Sequence, residues 1–218
     1  MAIDPGWRPF SFFDDSGWQG LDANLARELA RRLQLQLQPD PVGYDALYDA
    51  LALKRDDAAI SAVVVDPARL ADFAYTEAYF DAGVRLVARR GAGIGSTSDL
   101  PGRSVAVALG SDADRVARYW ERRSAAMQRL PLADDGAAFE ALRDGRADAA
   151  FLDALAAAQL IGDSGDGYVD ISVEPRLYAI AVRRDNPRLL SALNEALAAM
   201  RSDGALERLI QEWTARQR

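Results

Sequence analysis

The sequence predicts an α/β fold of two similar lobes, each a mostly parallel sheet flanked by helices. Strand-like and helix-like segments alternate along most of the 218 residues, the pattern expected of parallel sheets covered on both faces. One helix–turn–strand unit also occurs twice. Leu51 to Asp57 leads into Ala58-Ala59-Ile60, and Leu142 to Asp148, at the same spacing, leads into Ala149-Ala150-Phe151. Any αβ unit gives some such likeness; two related lobes give it by construction. In the two-lobe reading, Ser61 and Asp153 fall at or just past the carboxyl ends of equivalent strands, where open α/β sheets place ligands. A cleft between such lobes is a favoured small-molecule site.

The elements follow in order. Leu21, Leu25, Leu29 and Leu33 line one face of a helix, with Glu28 and Arg32 supporting it at i, i+4. Leu35 and Leu37 alternate with glutamines as a short strand before Pro39 and Pro41 interrupt the chain. A helix over 44–53 and a buried strand over 58–65 come next. In the second stretch, 104–109 reads as a strand, 112–126 as a helix and 127–132 as a strand. A helix over 137–142, a strand over 149–152 and a helix from Asp153 complete it. The chain ends in helix from Pro187 to Thr214, broken at Asp203-Gly204.

Composition narrows the chemistry. Half of the residues are hydrophobic and 27% are charged, as in a folded globular chain. No apolar run approaches the roughly 18 residues of a membrane helix. A net charge of −7 disfavours nucleic acid, and the Arg-Arg doublets at 31–32, 89–90, 122–123 and 183–184 are scattered among acids as solvated surface. With no His and no Cys, His-based triads, thiol nucleophiles, iron–sulfur clusters and nearly all structural zinc sites are excluded, and no cofactor is expected. The start, Met1-Ala2-Ile3-Asp4-Pro5, carries no signal-peptide pattern, and Ala2-Ile3 reads as the tail of a strand. The glycines of Gly91-Ala92-Gly93-Ile94-Gly95 lack the spacing and the Lys-Ser/Thr of a phosphate loop and read as a surface connection.

Across nearly its whole length the chain resembles the bacterial extracellular solute-binding proteins of family 3, the amino-acid-binding type of periplasmic binding protein. The resemblance rests on the order and spacing of several pieces: Trp7-Arg8-Pro9-Phe10-Ser11-Phe12, Gly20-Leu21-Asp22, Asp57-Ala58-Ala59-Ile60-Ser61, Arg69, and Phe73-Ala74-Tyr75-Thr76-Glu77-Ala78-Tyr79-Phe80. Farther on stand Asp99-Leu100-Pro101-Gly102-Arg103, Gly145-Arg146-Ala147-Asp148-Ala149-Ala150, Ser202-Asp203-Gly204-Ala205-Leu206 and Trp213. It implies a clamshell whose chain crosses between lobes twice, near 81–83 and 176–178. One lobe is then residues 1–80 with 178–218, and the other is 84–175. Hinge closure around a ligand follows from such a double connection.

The resemblance also assigns ligand contacts. Arg69 matches the arginine that clamps a ligand α-carboxylate by two parallel hydrogen bonds; read alone, it is a surface residue pairing with Asp66 or Asp72. Asp153 matches the carboxylate that receives the ligand's α-ammonium; read alone, it is a helix N-cap. Trp7 and Tyr44 match aromatic positions that line or sandwich the ligand side chain, with core packing as the alternative. Ser61 retains one of the small hydroxyls that reach the ligand, whereas Ala62 and Val64 have lost theirs. The turn Gly110-Ser111-Asp112 keeps backbone N–H groups for an anion at a helix start, and Asp112 adds a negative charge there. Asp112 is open to three roles: capping its own helix, pairing with Arg69, or meeting a cationic ligand group.

The resulting expectation is a periplasmic or membrane-anchored monomer that binds an amino acid or small acid and delivers it to an ABC transporter permease. The same module as the ligand-sensing part of a membrane sensor is the first alternative. A dehydratase-type enzyme, with Glu174 as its carboxylate, is the second.

Overall fold

The computed structural model describes residues 1–164 and 167–215. In chain order, the first elements are β1 (Ala2–Ile3), β2 (Gly6–Trp7), β3 (Ser11–Asp14), β4 (Gly17–Gln19), α1 (Leu21–Leu33), β5 (Asp40–Pro41), α2 (Leu47–Ala52), β6 (Ala58–Ala59), β7 (Phe73–Tyr75) and β8 (Phe80–Asp81). The middle holds β9 (Val84–Arg89), β10 (Ser104–Ala108), α3 (Asp112–Glu121), β11 (Gln128–Leu132), α4 (Asp135–Arg143), β12 (Ala149–Asp153), α5 (Ala154–Ser164) and β13 (Tyr168–Glu174). The chain closes with β14 (Leu177–Tyr178), β15 (Ala181–Arg183), α6 (Pro187–Ser202) and α7 (Ala205–Ala215). Two compact units result: Met1–Phe80 with Leu177–Arg218, and Asp81–Arg176.

The first unit is a sheet of order β5-β1-β6-β15-β7. It is parallel from β5 to β6 and antiparallel where β15 and β7 join. Leu21, Leu25 and Leu29, one turn apart on α1, are fully buried, and Glu28 bonds Arg32 at 2.7 Å on the outer side. Arg31 and Arg32 end the helix, where positive charge suits its dipole. Leu47, Ala50 and Leu51 of α2 pack with Ala2, Ala59 and Ala181 of the sheet. The strand expected at Leu35–Leu37 does not form. Its alternation is present, but ladder partners exist only opposite β1, so pairing is confined to Asp40–Pro41.

The second unit repeats the plan with order β11-β10-β12-β9-β13, parallel through β11, β10 and β12 and antiparallel at β9 and β13. Both faces are covered. Val105, Val107, Ala149 and Phe151 pack under Ala113, Val116 and Ala117 of α3. Ala106, Ala150 and Leu152 point the other way, into Ala138, Phe139 and Leu142 of α4. A strand buried on both faces reads as an unbroken apolar run, which is how 149–152 appears in the sequence. The helix expected over 112–126 stops at Glu121, and Ser124 donates its N–H back to the Trp120 carbonyl at 2.7 Å.

One glycine fixes how α1 begins. Leu21 and Asp22 donate their N–H groups to the carbonyls of Pro9 and Phe10 at 3.0 and 2.9 Å, which brings Gly20 against that segment at φ +118°. A Cβ at Gly20 would stand 2.0 Å from the Phe10 carbonyl oxygen. Gly20→Ala is therefore expected to cost more than about 2 kcal/mol in urea unfolding. A midpoint equal to the parent's would contradict this packing.

Candidate functional site

In the first unit, the carboxyl ends of β1 and β6 lead into a tightly held turn. Ser61 accepts the Asp4 N–H at 2.6 Å and donates to the Asp4 carbonyl at 3.1 Å, tying the two strand ends together. Ser61 is 1% exposed. This differs from its expected role: the hydroxyl is spent inside the unit and is not presented outward. Ala62 follows at φ +49°, a left-handed conformation that an alanine adopts only under constraint. The constraint is Asp22, fully buried near the start of α1, whose Oδ2 accepts the Ala62 N–H at 2.7 Å while Oδ1 accepts the Tyr79 hydroxyl at 2.7 Å. The chain then runs beside β14: Ala179 donates to the Val63 carbonyl at 2.9 Å and Val65 to the Leu177 carbonyl at 3.0 Å. Between those bonds Val64 faces Tyr178, its side chain 36% exposed, and its N–H and C=O have no partner among the described residues.

Around this turn lie the other expected contacts of the first unit. Arg69 bonds Asp66 at 3.3 Å, and its guanidinium carbon lies 4.1 Å above the Tyr48 ring. The pairing read from sequence alone is thus present, with the arginine half exposed and stiffened by an aromatic face. Trp7 and Tyr44 are 56% and 45% exposed, which rules out core packing for both. Arg8, beside Trp7, stacks 3.7 Å over Phe12 and has no ion pair among the described residues. Arg8 and Asp22 stand in the sequence only as family markers, because neither shows its surroundings there. A concavity of about 620 Å³ lies elsewhere in this unit, at the amino ends of β1 and β6, with leucines of α1 and α6 in its wall.

In the second unit, β10 and β12 are parallel neighbours, so α3 and α5 start at the same sheet edge. Ser111 caps α3: its hydroxyl accepts the Asp114 N–H at 3.1 Å and donates to the Ala108 carbonyl at 2.7 Å. Asp114, wholly buried, accepts the Gly110 N–H at 2.9 Å and binds Arg118 and Arg129 at 2.8 and 2.7 Å. Asp112 is exposed and pairs with Arg176 at 3.2 Å and Arg115 at 3.6 Å, while Arg115 also holds Glu174 at 2.8 Å. In register, Asp153 and Glu174 stand on either side of Val84. Asp112, Arg115, Asp153, Glu174 and Arg176 thus line one shallow depression of about 40 Å³.

Three carboxylates against two guanidiniums leave that depression one negative charge. Asp153 carries it: one oxygen accepts the Leu155 N–H at 2.9 Å, and no cation is paired with it among the described residues. Burial, with Asp112's charge adding, raises its carboxyl above the ordinary range against the pull of the Leu155 and Ala156 N–H groups and Arg176. Behind it, burial and the neighbouring Asp153 raise Asp135 to about 6, and the Asp135 Oδ1 has no hydrogen-bond partner among the described residues.

The comparisons with known proteins are uniform. The family model for bacterial extracellular solute-binding proteins, family 3, matches residues 1–216. The L-cystine-binding protein TcyJ of Escherichia coli is 28% identical, over 98% of this chain and 81% of its own. The histidine-binding periplasmic protein of the same organism is 30% identical, over 98% of this chain and 86% of its own. Among solved structures, the second substrate-binding domain of a putative amino acid ABC transporter from Streptococcus pneumoniae aligns at TM-score 0.67 and 25% identity, covering 98% of both chains. The unliganded L-cystine solute receptor of Neisseria gonorrhoeae aligns at TM-score 0.73, covering 98% of this chain and 91% of that one; at 23% identity it attests the fold.

Asp22 gives the site's setting a measurable pH dependence. Burial, opposed by the Tyr79 and Ala62 hydrogen bonds, raises its carboxyl from 3.8 to about 6. The folded chain then holds this proton more tightly than the unfolded chain. The stabilisation is full below pH 3.8 and lost as pH rises through about 6. From pH 7 to pH 4 the protein is expected to gain on the order of 3 kcal/mol relative to its Asp22→Asn variant in urea unfolding. A difference that stays constant with pH would refute the assignment.

Proposed function

Because this chain belongs to the bacterial extracellular solute-binding proteins of family 3, we propose that it binds a small amino-acid-like solute outside the cytoplasm, as a monomer, and delivers it to an ABC importer. The observation that carries the reading is Asp153, a carboxylate at the carboxyl edge of a parallel sheet with no cation of its own among the described residues. Such a group is ready for an ammonium, which it would bind by a charge-assisted hydrogen bond. Arg69 supplies the complementary cation for a carboxylate, oriented by Tyr48 and Asp66, with Arg8 as a second. Trp7 and Tyr44 offer exposed rings for the rest of the solute. Ser111 holds the start of α3, and Ser61 holds the turn behind Ala62, each as support.

Binding rather than catalysis is the reading the arrangement favours. Glu174, the carboxylate a dehydratase would use, is held by Arg115 at 2.8 Å. The two Escherichia coli relatives named above are binding proteins by name, one for L-cystine and one for histidine.

A thermal-shift panel of free amino acids tests the proposal. At a hundred times its Kd a true ligand stabilises by about 2.7 kcal/mol, which for a chain of this size raises Tm by roughly 5–10 °C. Asp153→Asn and Arg69→Ala are each expected to abolish the shift. No response to any α-amino acid at millimolar concentration would overturn the reading, and an Arg69→Ala variant that binds as tightly as the parent would move the site elsewhere.

A further inference from the structure

We propose that Asp22 is a positioning residue for ligand affinity, acting through Ala62 without touching the solute. The inference rests on the binding function proposed above. Asp22 is 0% exposed, has no cationic partner among the described residues, and has both oxygens committed, one to the Ala62 N–H and one to the Tyr79 hydroxyl, each at 2.7 Å. Burying a carboxylate without a counter-ion opposes folding. What it secures here is one backbone conformation: Ala62 at φ +49°, which without this hold relaxes toward negative φ.

That conformation decides where the chain goes next. With Ala62 turned, Val63 enters the core and gives its carbonyl to Ala179, and Val64 comes out beside Tyr178 with its N–H and C=O open. Relaxation of Ala62 would swing those two polar groups away while leaving most of the core packing in place. Tyr79 braces the carboxylate through its hydroxyl, one residue before Phe80, where the chain leaves the first unit.

The test is isothermal titration at pH 7.5 and 25 °C with L-cystine, L-histidine and L-arginine as probes, on the parent, Asp22→Ala, Asp22→Leu and the double variant Asp22→Ala/Ala62→Gly. Asp22→Ala is expected to weaken the tightest-binding probe at least about tenfold. Adding Ala62→Gly should recover part of that loss, because glycine takes positive φ without strain. A residue that only stabilised the fold would leave Kd unchanged in every folded variant, and parental Kd in Asp22→Ala overturns the inference. Should Asp22→Ala fail to fold, Asp22→Leu, which keeps a similar volume and removes both acceptors, carries the comparison: weaker binding supports the inference and parental Kd overturns it. If the parent binds none of the three probes, amide hydrogen exchange decides instead. Ala62 and Val65, whose N–H groups are hydrogen-bonded in the parent, exchanging much faster in Asp22→Ala supports the hold, and equal rates refute it. That outcome also separates a failure of this inference from a failure of the amino-acid reading.

Discussion

A buried carboxylate that accepts backbone N–H groups is the interaction on which both candidate surfaces rest. In the first unit Asp22 holds Ala62 at the end of β6. In the second unit Asp114 holds Gly110 at the end of β10. Both carboxylates are fully removed from water, yet they are stabilised differently. Asp114 has two guanidiniums; Asp22 has only a phenol and an amide, so burial prevails over their hydrogen bonds and raises its carboxyl to about 6. A third, Asp81, receives Ser172, the Arg176 N–H and the Gly83 N–H, and these bonds outweigh burial to lower its carboxyl below the usual range. The common logic is that a strand's end must release its backbone from the ladder, and each released N–H needs an acceptor. A carboxylate fixed on a nearby element supplies one and sets the direction in which the turn leaves.

The charged depression of the second unit extends that logic to the surface. Asp112, at the first turn of α3, sits favourably in the helix dipole, but its nearer effect is to bind Arg176 and draw on Arg115. Exposed pairs of this kind contribute little to stability, about 0–1 kcal/mol each. Their weight is electrostatic: with both guanidiniums paired to Asp112 or Glu174, Asp153 has no ion pair among the described residues. The raised carboxyl of Asp153 and that of Asp135 behind it report the same crowding of negative charge.

Much of this architecture is legible in the sequence, and the parts that are not share a cause. Helix α1 is readable because four leucines at every fourth residue leave no other solution, and the α6–α7 break is readable from Asp203-Gly204. The run at 149–152 is legible as a strand because it is apolar on both faces. By contrast, 58–65 reads as one continuous strand, yet only Ala58–Ala59 join the ladder. The chain is turned at Ala62 by a residue forty positions earlier. Helix α3 stops at Glu121 with no glycine or proline to announce it. Ser61 and Ser111 are legible as polar residues near the strand ends where a ligand is expected; that their hydroxyls face inward depends on which backbone groups stand opposite. Composition and period describe how a segment can behave alone, whereas these outcomes are set by long-range partners.

The apolar character of 62–64 shows how far side chains alone can mislead about a site. Ala62 and Val64 remove two hydroxyls from the stretch where they are expected, and by side-chain inventory the region becomes greasy. Yet every residue keeps an N–H and a C=O, and a fold that exposes them offers a donor and an acceptor whatever the side chain. At Val64 the bridge to Tyr178 falls between two hydrogen-bonded pairs, so neither group has a partner among the described residues while the isopropyl group is partly covered. Polarity here has passed from side chain to backbone, and its direction depends on Ala62's conformation. That places the control of this stretch with Asp22, a residue whose contacts lie wholly inside the unit.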